Sequence, residues 1–310
     1  MLERCQRALA SLAGGPPNDR FPSPALCQIG PPAAATFKPL RRVLLNRGVV
    51  QTLFDEYAEH RRTDRSDEET GWLLLARREE EQAVIEATLP AGADREAGEA
   101  HVRFNSTAQA VASRIARQAD RRLALLGVVH THPGSLRHPS DGDYRGDIRW
   151  VGQLRGGEGV FGIGTADGEG TDEIDQPRAS VQRRGELTFC WYSLRKGAKR
   201  YQPLPVELVE GPDLAAPLRT PWPLIEGNAD RLERLARQQL NLGFEVVSPM
   251  ALAAVVHLAD GSALRAVMTK DGVRYFLMQN GEWLASQLHE PRIDRGIYRM
   301  LVDLTDGEES

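Results

Sequence analysis

The sequence has few cysteines, no long apolar run and no excess of positive charge, and each shortage excludes a class of protein. Only three of its 310 residues are cysteine, and Cys5, Cys27 and Cys190 form no CxxC pair. An odd number of widely spaced cysteines argues against a disulfide framework and against a thiolate zinc site. We therefore expect a cytoplasmic protein.

Membrane and nucleic-acid functions are not indicated either. The longest apolar stretches, such as Leu123–Val129, have the length of a strand, well short of the roughly 18 residues of a membrane helix. The N-terminus lacks the continuous apolar core of a signal peptide. The net charge of −4 gives no electrostatic indication of a nucleic-acid partner. We interpret the short basic run Arg195–Arg200 as a solvated turn.

Proline and glycine divide the chain into three parts. Residues 1–36 are rich in both and predict a flexible tail. Residues 37–210 predict one α/β domain, and residues 211–310, after Gly211-Pro212, predict a smaller α+β module. In the main domain, apolar periodicity predicts strands near 42–45, 71–76, 83–89, 101–104, 123–129, 161–164, 187–194 and 201–209, with helices near 49–61 and 106–121.

The informative stretch joins two histidines to a carboxylate. His130 and His132 are two residues apart on a predicted strand, so their imidazoles lie on one face and can reach one ion. Pro133 ends the strand, and the turn-prone loop after it can bring an aspartate, Asp141 or Asp143, back to the imidazoles. Two histidines and one carboxylate leave a fourth tetrahedral position open, as in catalytic zinc sites.

These residues also fit a longer pattern. Glu69-Thr70-Gly71 begins a predicted buried strand, His130-Thr131-His132-Pro133 follows downstream, and Pro139-Ser140 precedes Asp143. The pattern resembles the JAMM (MPN+) zinc metallopeptidases, whose motif joins a distant Glu to H-x-H-P, five residues and P-S-x-x-D. The resemblance covers roughly residues 38–209. It implies an α/β fold of MPN (JAB) type, a mixed sheet flanked by helices, with zinc at the end of the histidine strand.

The resemblance also implies a role for each motif residue. His130, His132 and Asp143 would bind Zn²⁺. Glu69 would take a proton from the attacking water and return it to the leaving amine, and Ser140 would donate a hydrogen bond to the developing oxyanion. The chemistry agrees, because a base within hydrogen-bond reach and a donor at the oxyanion are what hydrolysis needs.

Two assignments have competitors in the sequence. Glu68 lies beside Glu69, but the E-x-G spacing and the strand period favour Glu69. Asp141 competes with Asp143, and the S-x-x-D spacing favours Asp143. Trp72 departs from the family pattern, which often has a second glycine there, and we expect it to affect packing more than chemistry.

We therefore expect a bacterial zinc peptidase or isopeptidase that cleaves after the C-terminal glycine of a ubiquitin-like protein. Two alternatives remain, which are release of a small molecule from a sulfur-carrier C-terminus and a non-catalytic MPN scaffold. A DNA-repair-associated relative shares the histidine and aspartate pattern, but the context of Glu69 fits the peptidases better. The C-terminal module, predicted as one helix and four strands, contains no cysteine. We expect it to be non-catalytic, with a role in docking or oligomerisation.

Overall fold

The computed structural model describes residues 37–92, 96–98, 101–103, 106–239 and 241–307. The tail predicted at residues 1–36 lies outside this range. The described residues form two compact units. The first contains residues up to Ala91, the segments 96–98 and 101–103, and Arg122–Leu214. The second contains Gly92, residues 106–121 and the chain from Ala215 onward.

The first unit is a curled, mixed sheet with helices packed on it, as the sequence predicted. Its helices are α1 (Arg47–His60) and, in the second half, α3 (Asp141–Asp147). Its strands are β1 (Arg42–Asn46), β2 (Gly71–Arg78), β3 (Gln82–Pro90), β4 (Glu96–Gly98), β5 (His101–Arg103), β6 (Ala124–Thr131), β7 (Glu158–Thr165), β8 (Asp175–Arg178), β9 (Val181–Arg184), β10 (Leu187–Arg195), β11 (Gln202–Pro203) and β12 (Val206–Val209).

The main sheet of this unit has the strand order β12-β1-β3-β2-β6-β7-β10-β9-β8, with β11 beside β10, while β4 and β5 pair separately. Three of its pairs are parallel, β1 with β12, β1 with β3 and β6 with β7. The sequence predicted one strand over residues 201–209. Instead the chain leaves the β10 side after β11, and β12 forms the opposite edge beside β1. Strands β8 and β9 were not predicted.

Helix α1 covers one face of the main sheet. Its buried side chains, including Val50, Leu53, Phe54 and Tyr57, recur every three or four residues, so they form one apolar stripe. Phe54 meets Phe189 of β10 edge-to-face, with ring centroids 5.0 Å apart. Burying each such side chain stabilises the fold by roughly 1.5–3 kcal/mol. The opposite face of the central strands also buries apolar side chains such as Leu73 and Val128, and it carries His130 toward the end of β6.

The second unit combines three helices with a five-stranded antiparallel meander. Helix α2 (Ser106–Ala119) packs here against α4 (Trp222–Gln238), although the predicted boundary at residue 210 grouped it with the first domain. The strands are β13 (Leu242–Ser248), β14 (Ala251–His257), β15 (Ala263–Thr269), β16 (Gly272–Gln279) and β17 (Glu282–Ala285), and helix α5 (Ile293–Gly307) follows. The fifth strand and α5 were not predicted. Among the helices of the described ranges, none is both long and apolar enough to cross a membrane.

Candidate metal centre

The two histidines lie where β6 ends, beside β7. His130 is in β6, and His132 follows it, with its backbone N–H bonded to the Gly164 carbonyl of β7 at 2.8 Å. The backbone is therefore extended through both residues, and their side chains project to one face. Both are nearly buried, at 7% and 6% exposure. Polar rings so deep in a fold need partners, and here the partners are each other and a carboxylate.

Asp143 completes a three-residue cluster, which we call the ligand cluster: His130, His132 and Asp143. The two Nε2 atoms are 3.1 Å apart. Oδ1 of Asp143 lies 3.3 Å from His130 Nε2, and Oδ2 lies 3.6 Å from His132 Nε2. Ligand atoms about 2.0–2.1 Å from a tetrahedral zinc lie roughly 3.3 Å from one another, so the spacing and the donor types fit this ion.

The orientation of His132 is fixed from the far side of its ring. Nδ1 lies 2.7 Å from the carbonyl oxygen of Leu136, which can only accept, so Nδ1 carries the hydrogen. In the neutral ring, Nε2 then presents its lone pair to the cluster. A ligating histidine usually has such a partner on its second nitrogen. The carbonyl comes from the loop that the sequence predicted between the strand and the aspartate.

Asp143 is placed by the start of helix α3. Ser140 is the N-cap: its Oγ accepts from the Asp143 backbone N–H at 3.2 Å, and Asp143 Oδ2 accepts from the Ser140 N–H at 2.6 Å. This reciprocal pair is a capping box. The S-x-x-D spacing therefore also has a structural role, because it turns the carboxylate toward the histidines. A serine followed three residues later by an acidic residue is a signal for a helix start, and it marks this seven-residue helix, which was not predicted.

Glu69 faces the cluster from the neighbouring strand. Gly71 pairs with His130 across the antiparallel β2–β6 ladder. Thr70 and Thr131 continue the pairing, since the Thr131 N–H bonds the Thr70 carbonyl and Thr131 Oγ1 accepts from the Thr70 N–H, each at 2.9 Å. Glu69 is thus opposite His132 and on the histidine face. It is 5% exposed.

The competing acidic residues lie elsewhere. The Glu68 carboxylate pairs with Arg65 at 2.6 Å, and the Glu68 carbonyl lies 2.9 Å from Nε2 of His60. Asp141 is exposed in the first turn of α3 and is outside the ligand cluster. His138 is also exposed. Asp143 is therefore in the ligand cluster and Asp141 is not, while Glu68 pairs with Arg65 and Glu69 lies on the histidine face.

Trp72 lies on the other face of β2 from Glu69. It is 2% exposed in the core beneath α1, where its indole N–H bonds Glu56. This position agrees with an effect on packing rather than on chemistry.

The charges of the clustered residues shift one another's pKa values. Burial alone would raise the pKa of Asp143, but hydrogen bonds from His130 and His132 outweigh it and hold that pKa far below its usual range. Burial alone would lower the pKa of His130, but the bond to Asp143 and the charges of Asp143 and Glu69 leave it raised. The site therefore favours a positive charge among its three ligand atoms, which is what a divalent cation supplies.

A second carboxylate, Asp147, lies one turn after Asp143. Its side chain accepts hydrogen bonds from the Tyr201 hydroxyl at 2.7 Å and the Trp150 indole N–H at 3.1 Å. Burial raises its pKa to about 7 against the opposing effect of these bonds. Tyr201 is far from Asp147 in sequence, so only the fold reveals this pair.

The comparisons with known proteins concern this same region. Residues 50–174 match the family model described as prokaryotic homologs of the JAB domain. This region is similar to prokaryotic JAB domains. The match includes Glu69, Ser140 and the whole ligand cluster.

The comparisons with solved structures and with curated proteins give less information than the family model. The solution structure of protein DSY2949 from Desulfitobacterium hafniense is similar at 17% identity and a TM-score of 0.35, over 55% of this chain and 95% of that one. A comparison with curated proteins finds no match to the chain.

Proposed function

We propose that this protein is a zinc-dependent metallopeptidase or isopeptidase that cleaves after the C-terminal glycine of a ubiquitin-like protein. One observation carries the proposal. His130, His132 and Asp143 converge within 4.8 Å in a region similar to prokaryotic JAB domains, and Glu69 lies on the same face. Members of such a family can also be non-catalytic, so the complete ligand cluster is the feature that favours an enzyme.

Each residue of the site has a different role in the proposed hydrolysis. The three ligands would hold Zn²⁺, which when bound would supply a Lewis acid that makes water a better nucleophile. The Glu69 carboxylate takes a proton from the attacking water and passes it to the leaving nitrogen. Ser140 uses its oxygen to cap α3, so its hydroxyl hydrogen stays available for the oxyanion of the tetrahedral intermediate.

The surroundings suit an extended, small-residue tail. The loop beside His132 is exposed from Gly134 to His138, so the site borders the surface. An extended chain can dock there through its backbone, and glycine lets that backbone approach a metal closely. The Gly-Gly ends of ubiquitin-like proteins meet both needs. The Gly-rich, acidic segment 155–170 is a candidate flank of this groove, although its residues 158–165 form strand β7.

The test uses ubiquitin-like proteins encoded near this one, fused at their C-termini to a reporter. Mass spectrometry should locate a new terminus after the last glycine, and a zinc chelator should abolish cleavage. Thiol alkylation should not abolish cleavage, because the ligand cluster contains no cysteine and Cys190 is buried. The matched control is Glu69→Gln, which keeps the side-chain size and should retain zinc while turnover falls about 100-fold or more.

Each other outcome favours a different function. Release of only a small thiol-linked molecule would support the sulfur-carrier alternative. Zinc binding without any cleavage, equal in wild type and Glu69→Gln, would support a non-catalytic scaffold. Cleavage at unrelated sequences would leave a peptidase with a different substrate.

A further inference from the structure

The basic run Arg195–Arg200, which we call the basic turn, is held in a defined shape. It follows β10, and its bend is at Gly197, whose φ of +77° favours glycine. The Lys196 N–H bonds the Gly157 carbonyl at 2.8 Å, and the Tyr144 hydroxyl bonds the Ala198 carbonyl at 2.9 Å. The backbone of the turn therefore has a defined conformation, from which the charged side chains extend.

Its four cations are not neutralised. Arg195, Lys196, Lys199 and Arg200 are all exposed, and none has an ion-pair partner among the residues that the structure describes. Other arginines of the same unit, such as Arg137 and Arg184, lie within 4 Å of a carboxylate. A compact positive patch on a chain of net charge −4 attracts an anionic group.

The basic turn borders a cleft of about 300 Å³. Arg195 and Arg200 line it, together with the buried side chains of Leu40 and Leu204. Glu158 also lines it, but its carboxylate accepts from the Leu40 N–H at 2.8 Å and pairs with the buried Arg78 at 3.4 Å. The free charge at the rim is therefore positive, and the floor suits an aliphatic side chain.

This surface adjoins the helix that carries Asp143. Tyr144 is the next residue along α3, and Asp147 bonds Tyr201, which directly follows the basic turn. Along the sheet, Arg195 pairs with Glu158 and His130 pairs with Ile163, which is five residues further along β7, or roughly 16 Å. This odd number of residues puts Arg195 on the α1 side of the sheet, so a partner bound at the metal meets the basic turn around the end of β10, where Arg200 precedes Tyr201. A small domain has a radius of gyration of about 13 Å, which is enough to span this distance.

We propose that the basic turn and its cleft bind an acidic segment with an aliphatic side chain on the protein whose tail is cleaved. This inference rests on the proposed function and adds a partner chemistry to it. Carboxylates meet the four free cations, and one apolar side chain enters the cleft over Leu40 and Leu204. A nucleic acid would satisfy the charge, but it has no aliphatic side chain to cover this floor.

The experiment measures binding without turnover, using the full-length Glu69→Gln protein. Fluorescence anisotropy compares a labelled peptide of alternating Glu and Leu ending in Gly-Gly with the same peptide carrying Gln for Glu. The acidic peptide should bind about tenfold more tightly at low salt, and raising the salt should weaken it. Lys199→Glu/Arg200→Glu should lose about tenfold in affinity for the acidic peptide.

The control is Arg178→Glu/Arg62→Glu, which changes the net charge equally at two exposed cations of the same unit without ion-pair partners in the described residues. It should bind the acidic peptide within about twofold of the parent. Equal binding of both peptides, equal losses in both double variants, or tighter binding of oligothymidine would each overturn the proposal.

A separate assay keeps the two proposals apart. Hydrolysis of a neutral peptide ending in Gly-Gly by the zinc-loaded wild type tests the metal site alone. If the neutral peptide is hydrolysed but the acidic peptide does not bind selectively, only the proposal for the basic turn is refuted. Selective acidic binding without hydrolysis of any fusion refutes the proposed function only.

Discussion

Ser140 has two roles that different substitutions can separate. Its oxygen caps α3 and thereby positions Asp143, and its hydrogen is the proposed donor to the oxyanion. Replacing an N-cap serine by alanine costs about 1 kcal/mol, whereas glycine costs only a few tenths. Both replacements remove the hydroxyl. Ser140→Gly therefore tests the donor at little cost to the start of the helix, whereas Ser140→Ala removes the donor and also destabilises that start.

The expected magnitudes differ for the two measurements. If the whole cost of losing the cap, about 1 kcal/mol, appears in the positioning of Asp143, zinc affinity in Ser140→Ala should fall about fivefold. In Ser140→Gly, where the cost is smaller, zinc affinity should hardly change. Loss of an oxyanion donor lowers kcat about 100-fold or more, and it should do so equally in both variants. Ser140→Thr keeps the hydroxyl and the cap, so it should preserve zinc affinity and most of the activity.

Zinc affinity is measured by competition with a chromogenic chelator. The kcat is measured at saturating zinc with a reporter fusion whose linking sequence ends in Gly-Gly. Near-normal kcat in Ser140→Gly would refute the role of the hydroxyl in catalysis. Unchanged zinc affinity in Ser140→Ala would show that the Ser140 hydroxyl is not needed to position Asp143, whose bond to the Ser140 backbone N–H remains in that variant.

Three further predictions follow from the site and its surroundings. Purified protein should contain about one zinc per chain by elemental analysis, and replacing any ligand-cluster residue by alanine should remove it, while the exposed His138→Ala should not. Burial raises the pKa of Asp147 to about 7 from 3.8, so its contribution to stability is full below about pH 4 and is lost as the pH rises through 7. Urea unfolding of metal-free protein should therefore show that stability falls more between about pH 5 and pH 8 in the wild type than in Asp147→Asn, and equal falls would contradict the assignment. Ending the chain after Leu214 removes α4, the partner of α2, and should lower the thermal midpoint measured by circular dichroism; an unchanged midpoint would show that α2 does not depend on α4.

The local parts of the site could be predicted because they follow from periodicity. Alternation along a strand places His130 and His132 on one face whatever the rest of the fold, and the same rule separates Glu69 from Trp72. The main strands were predicted where apolar residues dominate. Helix α3 was missed because Gly142, Gly146 and three aspartates are poor helix formers, and the helix depends on its cap and its packing.

The remaining features depend on contacts between distant parts of the chain. Strand β8 is mostly exposed and contains Pro177, so its sequence lacks the alternation of a half-buried strand. Nothing in residues 206–209 shows that they pair with β1 rather than with a neighbour of β10. The bond between Asp147 and Tyr201 and the cleft beside the basic turn likewise require the folded arrangement.

The ladder of β2 with β6 has one irregularity, which determines how the chain can change length. Leu74 pairs with Gly127 but Leu75 pairs with Leu125, so Leu126 is an extra residue that bulges from β6. A loss or gain of one residue near this bulge can be absorbed by removing or enlarging it, and Gly71 still faces His130. The same change between Gly127 and His132 would turn the histidines to the face beneath α1. Related chains can therefore vary in length near the bulge, but the segment from Gly127 to His132 must keep its number of residues.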